Sequence, residues 1–153
     1  LQVISWTTII FGVLLYISDK CSLEKKIDKS FTYKSAIFIG LFQVLSLIPG
    51  VSRSGIAITA ARVLKFKRYD AAKVSFLLSI PILGAVSLFG LKNLFTEGSL
   101  NFTFFNLIST FLSFVFSYIT IKYFLIFIKR FSLNIFVIYR ILLGIILLFI
   151  AYL

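Results

Sequence analysis

Positions 49 to 55, Pro49-Gly50-Val51-Ser52-Arg53-Ser54-Gly55, hold the densest set of anion-binding groups in the chain. Gly50 and Gly55 let the main chain turn tightly and approach a ligand, while Ser52 and Ser54 are helix N-cap types ahead of an apolar run. With a helix starting there, the amides of Ser54, Gly55 and Ile56 are expected as unpaired donors at its positive end, which favours negative charge. Arg53 adds a planar guanidinium that stays ionised and matches two phosphate oxygens at once. Together these types fit the holding of a phosphoryl group.

Groups able to move protons are scarce. The 153 residues include five Asp and Glu, no His and one Cys, Cys21, so neither an internal disulfide nor a Cys/His metal cluster is available, and no metal ligand is assigned in this chain. Asp19, Glu24, Asp28, Asp70 and Glu97 fall in expected loops and are read as solvated, so none is assigned as a general base.

The elements that must position the 49–55 loop are membrane helices. Sixty per cent of the residues are hydrophobic (60%) and the mean hydropathy is +1.07, against roughly 45–50% apolar residues in soluble domains. The apolar residues come in blocks near the roughly 20 needed to span a bilayer, so the expected class is an all-α integral membrane protein rather than a barrel. Spans are expected at 2–17, at 74–91 with Pro81 inside, at 102–128 and at 135–153. Between the first two, 35–48 and 56–64 are each too short: fourteen residues at 1.5 Å rise reach about 21 Å of a core roughly 30 Å thick. Pro49 and Gly50 separate these arms, which predicts a re-entrant hairpin over 35–64 within a single membrane domain, 1–153.

Charge tests that topology independently of length. Lys and Arg number 16, for a net charge of +11, but they gather in short loops rather than on one soluble face, so lipid and not nucleic acid is the expected partner. If 35–64 crossed the membrane, the Lys-rich 18–34 connector and the basic 65–73 loop would lie on opposite sides. If it turns back, both lie inside with Lys129 and Arg130, and the nearly neutral 92–101 loop and the C-terminus lie outside. The economical arrangement is four spanning helices plus one hairpin.

Irregular backbone at membrane depth must line protein or a water-filled cavity, so the hairpin tip is expected to face a ligand site. Gly40, Gln43 and Ser46 form one small and polar stripe on the first arm, and Ser54, Ala57 and Ala61 form another on the second. Packing is the expected role of Gly40, Ala57 and Ala61. Arg53 has no acid in its own segment, and carrying it into lipid costs at least about 2.5 kcal/mol, which points to a bound anion or an acid from elsewhere. Arg140, five residues inside the last span, and Lys122 are read as snorkelling toward the 129–134 turn, with a structural or substrate-facing contact the alternative for Arg140.

The run Gly40-Leu41-Phe42-Gln43-Val44-Leu45-Ser46-Leu47-Ile48 and the Pro49 to Gly55 loop closely resemble the second signature of the undecaprenyl-pyrophosphate phosphatase (bacitracin-resistance) family. The likeness continues through Asp70-Ala71-Ala72-Lys73-Val74-Ser75-Phe76-Leu77-Leu78-Ser79-Ile80-Pro81 and into Tyr139-Arg140 and Leu143-Gly144. It implies hydrolysis of a polyprenyl diphosphate to recycle the cell-wall lipid carrier, in a fold of two inverted halves of which this chain resembles the C-terminal one. It further implies that Arg53 grips the diphosphate while Ser52, Ser54 and Gln43 orient it. Gly50 and Gly55 would shape the site, and the nucleophile and base would come from the missing half. A divalent cation, Mg or Ca, a bacterial inner-membrane location and a site opening outward are implied in the same way, and self-association is left open. At the position where many members carry Thr this chain has Ala57, and Thr59 is instead expected to bond its own helix backbone.

Two further readings stand beside the hydrolase. Inverted repeats with broken helices also build carriers, so a polyprenyl-phosphate carrier or lipid-binding module without hydrolysis is the alternative. A scaffold segment with no ligand must explain the 49–55 loop by packing alone. The chain starts inside an apolar stretch and has no Met, which is read as a fragment of a longer protein.

Overall fold

Long apolar runs without interior acids leave the backbone only one way to satisfy its polar groups in lipid, and the chain is helical throughout its hydrophobic blocks. The computed structural model describes residues 1–20, 25–96 and 104–152; Cys21, Glu24 and Glu97 lie outside them. The elements are α1 (Gln2–Asp19), the short α2 (Ile27–Ser30), α3 (Tyr33–Val44) ending in a 3₁₀ turn (Leu45–Leu47), α4 (Arg53–Val63), α5 (Arg68–Thr96), α6 (Phe104–Arg130) and α7 (Asn134–Tyr152). Among the described residues four helices are long and apolar enough to cross a membrane: α1, α5, α6 and α7.

The helix count matches the expectation; some boundaries do not. Residues 68–73, expected in a basic loop, form the first turns of α5, where Asp70 stands near the helix's positive end and accepts a hydrogen bond from the Ile27 amide at 3.1 Å. The second arm begins at Arg53, not Ile56, because Ser52 is its N-cap. Hydropathy marks where a chain leaves lipid; capping marks where the helix begins.

The hairpin turns back. Its open end is closed by a parallel bridge between Lys25 and Phe66, in which the Lys25 amide donates to the Lys65 carbonyl (2.7 Å) and the Lys67 amide to the Lys25 carbonyl (3.1 Å). Phe31 and Phe66 pack nearby with their rings tilted by 49°, centroids 5.9 Å apart. The two basic connectors therefore meet at one end of the molecule. Alongside, α1 runs the hairpin's full depth, from Thr7 and Thr8 at the tip to Asp19 at the base. That interval of eleven or twelve residues corresponds to roughly 17 Å, little more than half a hydrocarbon core.

The second arm is the most enclosed element. Every residue of α4 from Ile56 to Arg62 is buried, and Ala57, Ala60 and Ala61 are 1%, 0% and 0% exposed. Lipid is as apolar as leucine, so these contacts gain from close packing, which small side chains permit. The same reason brings α1 and α7 together antiparallel: a Cβ built on Gly144 would collide with Ile9 Cγ1, and one on Gly12 would lie 3.4 Å from Arg140 Cβ. Gly40 departs from the packing expectation, because a Cβ there would meet nothing within 4 Å. By contrast, α5 and α6 present broad exposed apolar faces, including Leu83, Phe89, Phe111 and Phe114, as helices facing lipid do.

The base holds the largest surprise. Asp19, expected to be solvated, is 6% exposed and held by two arginines. Arg68 grips it with two bonds, Nε to Oδ1 at 2.8 Å and Nη2 to Oδ2 at 2.9 Å. Arg62, 2% exposed, places Nε 3.3 Å from Oδ1, an ion-pair contact rather than an aligned hydrogen bond. Its Nη1 donates to the Phe66 carbonyl (2.7 Å) and its Nη2 to the Asp19 carbonyl (2.8 Å).

Candidate functional site

The tip is a short turn built by its own sequence. Pro49 cannot donate and so ends the first arm; Gly50 follows at φ +92°, a left-handed conformation that suits glycine, and the Val51 amide closes back on the Ile48 carbonyl at 3.1 Å. The turn is seated on α1: Thr7 Oγ1 reaches the Pro49 carbonyl at 2.7 Å. A Cβ on Gly50 would collide with Thr7 Oγ1 and lie 2.7 Å from the Ile4 carbonyl oxygen. Gly50 thus gives its close approach to α1, whereas the sequence reading gave it to a ligand.

Ser52 then opens α4, its Oγ accepting from the Gly55 amide at 3.2 Å and standing 3.3 Å from Ser54 Oγ. The Ile56 amide donates to the Ser52 carbonyl at 2.9 Å. This corrects the expected donor set: Gly55 and Ile56 are engaged, and the first-turn amides that helix geometry leaves without an intrahelical acceptor at this end are those of Arg53 and Ser54. Capping by Ser52 rather than Ser54 shifts the set toward the tip. Ser75 of α5 pins the same turn, donating to the Ser54 carbonyl at 3.3 Å. No local pattern around Ser75 marks this contact in advance.

Two cavities flank the turn. The first, about 310 Å³, is lined by Gly40, Gln43 and Ser46, by Arg53, and by Leu78 and Ile82 of α5. It unites the i, i+3, i+6 stripe of the first arm with the arginine of the second. Gln43 is 7% exposed and its Oε1 is buried without a hydrogen-bond partner among the described residues, an arrangement that costs roughly 1–3 kcal/mol unless something polar occupies the cavity. Arg53 is exposed toward this space.

The second cavity, about 490 Å³, lies on the α1 and α7 side and is lined in part by Thr8, Gly50, Ser52, Tyr139 and Arg140. Here the snorkelling expectation for Arg140 is overturned. Its Nη1 lies 3.2 Å from where a Gly55 Cβ would stand, so the side chain runs to the hairpin tip and not to the 129–134 turn. The missing side chain at Gly55 makes that approach feasible. Thr59, as expected, bonds its own helix, Oγ1 to the Gly55 carbonyl at 2.8 Å.

Of the residues singled out in sequence, Gln43 and Arg53 share one cavity, Gly50 and Ser52 line the other, and Ser54 and Gly55 lie on the turn between. A larger hollow of about 660 Å³ beside α6 and α7 is lined mainly by apolar and aromatic side chains, with Arg130 its one charged lining residue. It lies away from the tip and offers no comparable cluster of polar groups.

The family model described as "Bacitracin resistance protein BacA" matches residues 1–146. A protein of Pelagibacter ubique named undecaprenyl-diphosphatase is 53% identical over 152 residues, 99% of this chain and 59% of that protein. Proteins of the same name from Teredinibacter turnerae and Aliivibrio salmonicida are 47% and 46% identical, over 98% and 93% of this chain and 56% and 53% of their own length. The chain therefore spans little more than half the length of these relatives.

Proposed function

Because this chain belongs to the bacitracin resistance protein BacA family, we propose that it carries the phosphate-gripping half-site of a membrane phosphatase acting on undecaprenyl or a similar polyprenyl diphosphate. The observation that carries the reading is the meeting of Arg53 and Gln43 in the lining of one cavity at the hairpin tip, with the Gln43 Oε1 buried and without a hydrogen-bond partner among the described residues. The relatives' name, undecaprenyl-diphosphatase, supports the substrate class. Arg53 would neutralise charge on the terminal phosphoryl group, helped by the first-turn amides and the Ser52 and Ser54 hydroxyls, while Gln43 orients it.

In the overall reaction the bond from the terminal phosphorus to the bridging oxygen breaks and a bond from that phosphorus to a water-derived oxygen forms. The bridging oxygen leaves on the polyprenyl monophosphate, and the proton released by water passes to a base. Nucleophile and base are assigned to the part of the relatives' length that this chain does not cover. A divalent cation, Mg or Ca, belongs to the same proposal, but the residues here do not fit one. Among the described residues no group of three or more His, Cys, Asp or Glu could hold a metal, and the free Gln43 oxygen is a single amide ligand beside a guanidinium. Its ligands would come from outside this chain, and no step is assigned to it. The proposed setting is the bacterial inner membrane, with the tip opening to the outer face.

The test is phosphate release from a polyprenyl diphosphate by protein of the relatives' full length, with and without Arg53→Ala. Loss of turnover by roughly 10²–10³-fold is expected for removal of one charge-stabilising group. An unchanged rate would remove the role given to Arg53. Transfer of labelled lipid across vesicles with no phosphate released would favour a carrier instead.

A further inference from the structure

The phosphatase reading uses one arginine at the tip; the structure contains two. Arg140 lies on α7, six positions into the helix from Asn134, with its stem against Gly12 of α1 and its guanidinium beside Gly55. Among the described residues no hydrogen bond or ion pair engages that guanidinium. Three independent costs therefore fall on one side chain. It is carried into a spanning helix, where a charged side chain is disfavoured. It is half-buried, so water screens it only in part. It is also brought to the positive end of α4, where Arg53 already sits and where a cation is disfavoured.

The clasp at the hairpin base shows how this fold relieves such costs when the aim is only cohesion: Arg62 and Arg68 were given Asp19. Arg140 was given a cavity of about 490 Å³ in place of a carboxylate. Ser52 lines that cavity, and its hydroxyl, which accepts from Gly55, keeps its own proton for Ser54 or for a ligand. Thr8 is less free, since its Oγ1 lies 2.7 Å from the Ile4 carbonyl and 3.4 Å from that of Gly50. A guanidinium fork and a hydroxyl donor facing one space recognise an oxyanion.

We propose that the Arg140 cavity is a second phosphoryl subsite, on the face of the α4 first turn opposite the Arg53 cavity. The proposal rests on the phosphatase reading for the identity of its ligand: a phosphoryl group, either on the bound diphosphate or as the inorganic phosphate released. Arg140 contacts that group directly and Gly55 is the gap that lets it do so.

The experiment measures KM for a polyprenyl diphosphate and inhibition by inorganic phosphate, using detergent-solubilised protein of the relatives' full length. Loss of a charged hydrogen-bond pair in Arg140→Gln is expected to weaken one of the two by roughly 10-fold or more. A raised KM assigns the subsite to the substrate; weakened phosphate inhibition alone assigns it to the product. Arg140→Lys keeps the charge and the stem without the fork and is expected to recover part of the loss, and it also serves if the Gln variant fails to fold. Both constants unchanged in both variants would overturn the subsite while leaving the phosphatase reading intact. If the unsubstituted protein releases no phosphate, that reading fails instead. Calorimetric binding of inorganic pyrophosphate, weakened by Arg140→Gln, would then still support the subsite, and no difference between the proteins would overturn it.

Discussion

The two ends of the hairpin use the same residue type to opposite purpose. At the base, Arg62 and Arg68 close on the Asp19 carboxylate, and two main-chain carbonyls accept from Arg62 Nη1 and Nη2. At the tip, Arg53 and Arg140 face cavities, and among the described residues no carboxylate bonds either of them. An arginine with its acid in place contributes to the architecture; for one without it, the proposed partner is a ligand. The contrast lies in the partner, since each end places two arginines.

The strongest way to break this contrast is to exchange the consequences of mutation. Arg53→Ala is expected to lower turnover by roughly 10²–10³-fold while leaving the detergent unfolding midpoint where it was; a fall in both would make the tip arginine structural. Asp19→Ala should do the reverse, lowering stability by about 3 kcal/mol, the lower end of the range for a broken buried pair because Arg62 keeps its two carbonyl acceptors. Replacing Asp19 and Arg62 together by leucine should recover most of that loss, as apolar substitutes for a buried pair often do. Thr7→Val, which removes the hydroxyl seated on the Pro49 carbonyl, should cost about 1 kcal/mol in thermal unfolding. The smallest effect sharpens the base: Lys65 closes α4 at φ 70°, and Lys65→Gly should raise stability by roughly 0.5 kcal/mol after the added freedom of the unfolded chain is subtracted.

The architecture was legible because lipid enforces it. The short arms, Pro49 and Gly50, and the grouping of lysines each pointed to a hairpin, and the Lys25 to Phe66 bridge brings the two basic connectors together. The shared cavity of Gln43 and Arg53 was legible from helical spacing on one arm and composition on the other. The role of Asp19 was not, because its partners Arg62 and Arg68 lie 43 and 49 residues away and no local pattern links them. A sign was present all the same: Arg62 stands in the apolar arm IAITAARVL, in a chain with only five acids, and a buried guanidinium needs one of them. The expected amide donors were displaced because two serines competed for the cap. The Arg140 expectation failed because distance from a helix end says nothing about which neighbour leaves room, and Gly55 does.

The enclosure of α4 bears on how the protein is made. A segment with a buried arginine, Arg62, in its last turn and small residues along its length has little to gain from contact with acyl chains alone, and its neighbours α1, α3 and α5 are drawn from both sides of it in the chain. Its full set of contacts therefore exists only once Arg68 and the rest of α5 have been synthesised, which makes the packing of this element a late step in the growth of the chain.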